Sequence, residues 1–176
     1  MEHTPGRLKD LIRDVPDFPR PGVGFKDLTP LLADGAALGE CVDALAAAYE
    51  GQGVRHVLGI EARGFIFAAP VAVALGAGFV PVRKKGKLPW RVHAENYDLE
   101  YGTDTLEMHE DAIRPGERVL IVDDVLATGG TAAAVARMVD RVGADPVGLA
   151  VVIELAFLGG RGRIGDLDTF SLLTYE

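Results

Sequence analysis

The feature that most constrains this chain is the run Val119-Leu120-Ile121-Val122-Asp123-Asp124-Val125-Leu126-Ala127-Thr128-Gly129-Gly130-Thr131. Unbroken apolar residues lead into two adjacent acids, a small glycine-containing loop follows, and a helix-period pattern begins behind it. An apolar run without alternation suits a parallel strand covered by helices on both faces, not a strand with one wet face. The two acids then stand at the carboxyl end of that strand, where open α/β sheets bind ligands. The N–H groups of the turn, backed by the start of a helix, favour an anion there.

The rest of the chain repeats the strand–helix alternation. Residues 5–13 read as a short helix, and the Pro- and Gly-rich stretch Asp17–Phe25 as an irregular, shaped segment. Asp34 is placed to cap a helix over 35–50, with Leu38, Val42, Leu45 and Ala46 on one stripe. Val54–Ile60 reads as a strand, Phe65–Leu75 as a helix despite Pro70, and Gly78–Val82 as a short strand. Arg118–Asp123 is the central strand, Thr131–Val142 a helix closed by Gly143, and Pro146–Leu155 and Phe170–Leu173 further strands. The pattern predicts an α/β fold with a central, mainly parallel sheet flanked by helices. Alternation in Tyr97–Glu110 about Gly102-Thr103 predicts a β-hairpin outside that sheet. No repeat or linker interrupts 1–176, so one domain is expected.

Composition narrows the partners. With 48% hydrophobic residues over 176 positions, the chain has material for a core. Its net charge of −8 disfavours non-specific binding to nucleic acid or an anionic membrane. Cys41 is the only cysteine, and His3, His56, His93 and His109 show no metal-ligand spacing. The N-terminus has no apolar core of a signal peptide and no stretch would span a bilayer, so a soluble cytoplasmic protein is expected.

Thr128-Gly129-Gly130-Thr131 can aim several N–H groups at one anion, and the glycines allow close backbone approach. No lysine stands where a nucleoside-triphosphatase loop would carry one, so a single phosphate ester fits better than a polyphosphate. Asp123 and Asp124 can accept hydrogen bonds from ribose hydroxyls or hold Mg²⁺ through water. Together these point to a phosphorylated sugar. Arg83, Lys84, Lys85, Lys87 and Arg91 crowd one segment, 83–91, read as a loop; it is either a solvated surface run or a site for a developing anion. Arg63 follows a buried strand and reads as a ligand-facing residue or as a helix-start arginine in a surface ion pair. Phe25 can stack on a base or pack beside Val23 and Leu28. Gly160-Arg161-Gly162-Arg163-Ile164-Gly165 matches G-x-G-x-x-G, but the residues after it hold neither a βαβ unit nor the partner acid, so it reads as a loop or short helical turn.

The Asp123–Thr131 run resembles the phosphoribosyl-diphosphate (PRPP) motif of the type I phosphoribosyltransferases. Three further segments, in matching order, are similar to the adenine phosphoribosyltransferase family among them. Phe18-Pro19-Arg20-Pro21-Gly22-Val23-Gly24-Phe25-Lys26-Asp27 resembles its base-covering segment, Glu61-Ala62-Arg63-Gly64-Phe65 its pyrophosphate loop, and Arg83–Pro89 with Tyr97–Gly102 its flexible loop and hairpin. Gly24 stands where the family usually has a larger apolar residue, and Lys26 where some members have Arg.

The resemblance implies a small N-terminal hood (1–30) and a flexible catalytic loop and hairpin (83–105). It implies transfer of 5-phosphoribose from PRPP to adenine, giving AMP and pyrophosphate through an oxocarbenium-like transition state. Asp123, Asp124, Ala127, Thr128, Gly129, Gly130 and Thr131 would hold the phosphoribose, and Arg63, Lys84 and Lys87 the diphosphate. Val23, Gly24, Phe25 and Lys26 would meet adenine, and Arg63, Lys84 and Glu100 would be catalytic. Glu100 would stabilise charge on the ribose or act as a base toward the purine. Mg²⁺ would arrive with PRPP and sit near Asp123 and Asp124 without direct protein ligands, and a homodimer is expected. The competing readings are a type I transferase for hypoxanthine or xanthine, and a non-catalytic PRPP-sensing regulator that binds nucleic acid.

Overall fold

A computed structural model describes residues 5–98 and 102–176. In chain order the elements are α1 (Pro5–Asp10), β1 (Arg13–Val15), β2 (Phe25–Asp27), α2 (Thr29–Ala33), α3 (Gly35–Ala47), β3 (His56–Ile60), α4 (Gly64–Ala74), β4 (Gly78–Lys84) and β5 (Val92–Asp98). They continue with β6 (Thr103–His109), β7 (Arg118–Leu126), α5 (Gly130–Val142), β8 (Asp145–Leu155), a 3₁₀ turn at Ala156–Leu158, α6 (Arg161–Ile164) and β9 (Thr169–Tyr175).

Seven strands form one sheet in the order β5-β6-β4-β3-β7-β8-β9. From β4 to β9 every pairing is parallel. The strands are apolar on both faces because both faces are covered. Along β7, Val119 and Ile121 enter a core with Val135, Met138 and Val139 of α5. Leu120 and Val122 enter the opposite core with Leu45 of α3 and Phe67 and Val71 of α4. Each such fully buried side chain is worth roughly 1.5–3 kcal/mol relative to exposure. Alternate residues of one strand thus bind helices on two sides and hold Asp123 and Asp124 near its carboxyl end; the strand runs on to Leu126, past the expected end at Asp123, because Val125 and Leu126 still pair with β8.

Local signals set the helix ends. Asp34 caps α3, its carboxylate accepting from the Ala37 N–H at 2.9 Å. That hydrogen bond, with Arg7 nearby, holds the Asp34 carboxyl below the usual range. Gly143 ends α5 in a left-handed conformation (φ 80°), as a C-terminal glycine should. Pro70 lies inside α4 without breaking it.

Three expectations are corrected. The hairpin is Val92–Asp98 against Thr103–His109, and it extends the main sheet: Arg83 and Lys84 pair with Glu107 and Leu106. The same pairing makes Arg83 and Lys84 the end of β4, not part of a loop. The first helix stops at Asp10, because Arg13–Val15 pairs antiparallel with Phe25–Asp27 to form the base of the N-terminal hood.

Candidate active site

A cavity of about 770 Å³ opens at the carboxyl ends of the parallel strands. Asp123 and Asp124 from β7 form part of its wall, with Glu61, Ala62 and Arg63 after β3 and Lys84 at the end of β4. Val23, Gly24, Phe25 and Lys26 of the hood close another side. Segments far apart in sequence converge here because the parallel strands all deliver their carboxyl ends to one edge.

Beside it lies a smaller cup of about 70 Å³ lined by Ala127, Thr128, Gly129, Gly130 and Thr131. Asp123, Ala127 and Thr131 line both spaces, so cup and cavity adjoin. Gly129 has φ 80°, and no side chain caps the start of α5. The cup therefore offers main-chain N–H groups and a helix N-terminus to an anion. It is too small for more than a compact group such as one phosphate.

The two acids differ. Burial and the adjacent Asp124 push the Asp123 carboxyl well above its ordinary range, and the backbone N–H of Asp124, donating to it at 2.9 Å, opposes this only in part. Asp124 is nearly buried, and its Oδ2 lies 2.5 Å from Arg63 Nε. That approach is off the N–H axis, so Oδ2 has a charged neighbour without a directed hydrogen bond. Gly64 allows the contact between the two strand ends: a Cβ there would fall 2.7 Å from Asp123 Oδ1.

The cations are held by secondary partners. Lys84 Nζ pairs with Asp104 at 3.2 Å, which raises the lysine's pKa above its ordinary value. Tyr97 donates its hydroxyl to the same carboxylate at 3.3 Å. Arg83 donates to Glu61 at 2.7 Å, and the buried Glu107 accepts from the Gly86 N–H at 2.9 Å. The first contact ties the end of β4 to the Glu61–Phe65 loop, and the second ties the 84–87 turn to β6. Lys87 itself is exposed and does not line the cavity.

In the hood, Phe25 packs edge-on to Phe18 with centroids 5.1 Å apart, and the Arg63 guanidinium lies 5.1 Å from the Phe25 centroid. The Lys26 ammonium is committed to Asp14 and to the ring of Tyr175, 3.9 Å from its centroid. Neither partner lines the cavity, so Lys26 presents its stem and backbone there rather than a free charge. Nothing stands within 4 Å of where a Gly24 Cβ would be. Glu100 lies outside the described residues.

Sequence reasoning missed Leu155 and Leu158, which line the cavity from the last residue of β8 and the 3₁₀ turn behind it. The strand-tip rule that selected Asp123 applies equally to β8 and was the available signal. It also missed the work of Gly160. A Cβ on Gly129 would fall 2.3 Å from Gly160 O, and one on Gly160 would fall 2.3 Å from Ala127 O.

A mainly parallel sheet with a small main-chain cup, paired acids near one strand's carboxyl end and cations beside them has the layout of a phosphoribosyltransferase. The phosphoribosyl transferase domain family matches residues 31–170, and the chain belongs to it. Within it, the chain is a member of the adenine phosphoribosyltransferase family. It is 57% identical to the adenine phosphoribosyltransferase of Roseiflexus sp. (strain RS-1) over 168 residues, covering 96% of this chain and 98% of that one. The crystal structure of adenine phosphoribosyltransferase from Rhodothermus marinus DSM 4252 superposes with a TM-score of 0.93 at 53% identity, covering 97% and 98% of the two chains. The Saccharomyces cerevisiae enzyme, complexed with an imino-altritol bisphosphate and adenine, gives a TM-score of 0.91 at 39% identity over 96% of this chain and 98% of that one.

Proposed function

We infer that this chain transfers the 5-phosphoribosyl group of PRPP to adenine, releasing pyrophosphate and forming AMP. The observation that carries the reading is the juxtaposition of a phosphate-sized cup with paired acids and a wider cavity at one sheet edge. The cup takes the 5′-phosphate on main-chain N–H groups. Asp123 and Asp124 meet the ribose hydroxyls. Arg63 and Lys84 face the diphosphate, whose negative charge grows as the anomeric C–O bond breaks; fixed cations lower the barrier to that departure. The purine N9 then bonds to the anomeric carbon as pyrophosphate leaves with the bond's electron pair, and the ring N–H proton that adenine sheds goes with the departing pyrophosphate. Phe25, Val23 and Gly24 cover the base, and exclusion of water strengthens each electrostatic contact.

The donor set fits Mg²⁺ brought by the substrate. That ion characteristically keeps several waters and binds one or two carboxylates plus substrate phosphates. Among the described residues no group of three His, Cys, Asp or Glu side chains could hold a metal. Asp123 and Asp124 are the residues that would face it through water. When bound, it would neutralise diphosphate charge.

A homodimer and a cytoplasmic location complete the proposal. Every side chain of α4 is apolar, yet Ile66 and Val73 on its outer face are 41% and 81% exposed, and Phe79, packed edge-on to Phe65 of the same helix, is exposed as well. A helix apolar all round is normally covered on all sides, which supports a second copy packing there. No described helix is long and apolar enough to cross a membrane.

The test is an assay of adenine with PRPP, with and without Mg²⁺, following AMP and pyrophosphate together. Metal-dependent formation of both in equal amounts is expected. Turnover of hypoxanthine or xanthine but not adenine would overturn the base assignment; tight nucleic-acid binding without turnover would overturn the reading as an enzyme.

A further inference from the structure

We propose that Arg161 and Glu154 are positioning residues for the 5′-phosphate cup, acting through the main chain of Gly160. The inference rests on the cup's proposed role and adds residues outside the cavity and cup to it. The buried Glu154, near the end of β8, receives two parallel N–H bonds from the Arg161 guanidinium, both at 2.7 Å. Arg161 also donates to Thr169 O at 3.2 Å and to Ser171 Oγ at 3.3 Å, and Ser171 donates to Glu154 at 2.6 Å. The start of α6 is thereby fastened to β8 and β9 at once.

Gly160 immediately precedes Arg161 in the chain. Its main chain presses on Ala127–Gly129 so closely that no Cβ fits on either Gly129 or Gly160. The cup has Gly160 directly behind it, and the cup's shape depends on where Gly160 stands. A bidentate arginine–carboxylate pair fixes direction as well as distance, which a lysine cannot reproduce. Gly160, the first glycine of the sequence that mimics a nucleotide-binding pattern, serves as a buttress for a different phosphate loop.

The test uses the purified full chain and two probes, ribose 5-phosphate and inorganic pyrophosphate, titrated by calorimetry alongside steady-state kinetics. Arg161→Ala should raise the Kd for ribose 5-phosphate and the KM for PRPP by about 10-fold, the scale of a lost charged hydrogen bond. Pyrophosphate Kd should change less than about 2-fold, since Arg63 and Lys84 are not on this path. Arg161→Lys should fall between Arg161→Ala and the unaltered chain. Arg118→Ala, which removes an exposed ion pair with Asp145 at the other end of β7, should match the unaltered chain. If Arg161→Ala does not fold, Arg161→Lys carries the test. Equal weakening of both probes, or of neither, overturns the positioning role. If the unaltered chain does not bind ribose 5-phosphate at all, the cup reading falls first and takes this inference with it.

Discussion

Arg63 and Asp124 face each other across the cavity wall, Nε to Oδ2 at 2.5 Å, without a directed hydrogen bond between them. The carboxylate is nearly buried and the guanidinium is half exposed. Removing the charge on one side should therefore act through the ligand more than through the fold. Asp124→Asn should lower kcat/KM for PRPP by about 100-fold, comparable to loss of one well-placed transition-state contact. Its melting temperature should stay within a few degrees of the unaltered chain. Steady-state kinetics with a thermal melt checks both; unchanged activity would remove Asp124 from the ribose site.

Gly129→Ala should be disproportionately costly. It combines a left-handed φ of 80° with a Cβ placed 2.3 Å from Gly160 O. The backbone conformation alone costs roughly 1–3 kcal/mol for a residue other than glycine. Gly51→Ala isolates that part, because Gly51 has φ 74° and nothing within 4 Å of its Cβ position. Chemical denaturation should rank Gly129→Ala well below Gly51→Ala in stability. Ribose 5-phosphate binding should be lost only in the former.

How much of this was readable beforehand follows from where each interaction is encoded. The Val119–Thr131 segment was legible because a buried parallel strand, its acidic tip and a glycine turn are all local. Asp34 and Gly143 were legible for the same reason: a cap is a contact within one turn. The place of Arg83 and Lys84 was not, because their strand character comes from pairing with Glu107 and Leu106 in a separate segment. The hold of Asp14 and Tyr175 on the Lys26 ammonium was not legible either, because no spacing rule links those positions. Gly160 was hidden by a motif that pointed to a different chemistry.

Asp123 gives a pH dependence with a definite sign. Its carboxyl is pushed above the ordinary value of 3.8 by burial and by Asp124. Between that value and the folded-state value, the folded chain holds a proton that the unfolded chain has released. Stability therefore falls as pH rises through this window and levels off above it. Asp123→Asn removes the penalty. Its melting temperature should exceed that of the unaltered chain at pH 7, and the difference should shrink as pH falls toward 3.8 and vanish well below it, where Asp123 is protonated in both states. A constant difference at every pH would show that the asparagine acts by some other route.

Gly24 leaves open space beside the base cavity where a larger apolar side chain has room. Its φ lies outside the left-handed region, so a side chain there avoids the strain of a left-handed backbone. Gly24→Val should lower the KM for adenine, by about 4-fold for each methylene that packs on the base. The KM for PRPP should not move. An increased adenine KM would mean that the base occupies this space itself.

The outer face of α4 supplies the test of assembly. Ile66 and Val73 are one heptad apart and so lie on the same side of the helix. Val73 is 81% exposed, which makes it a site where a charge costs the isolated chain almost nothing. If a second copy covers this face, Val73→Asp buries an unpaired carboxylate in the interface and should drive the chain to monomer. Sedimentation velocity across a concentration series reads this directly. A dimer that persists unchanged in Val73→Asp would place the interface elsewhere, and a monomeric unaltered chain would leave the α4 face to water.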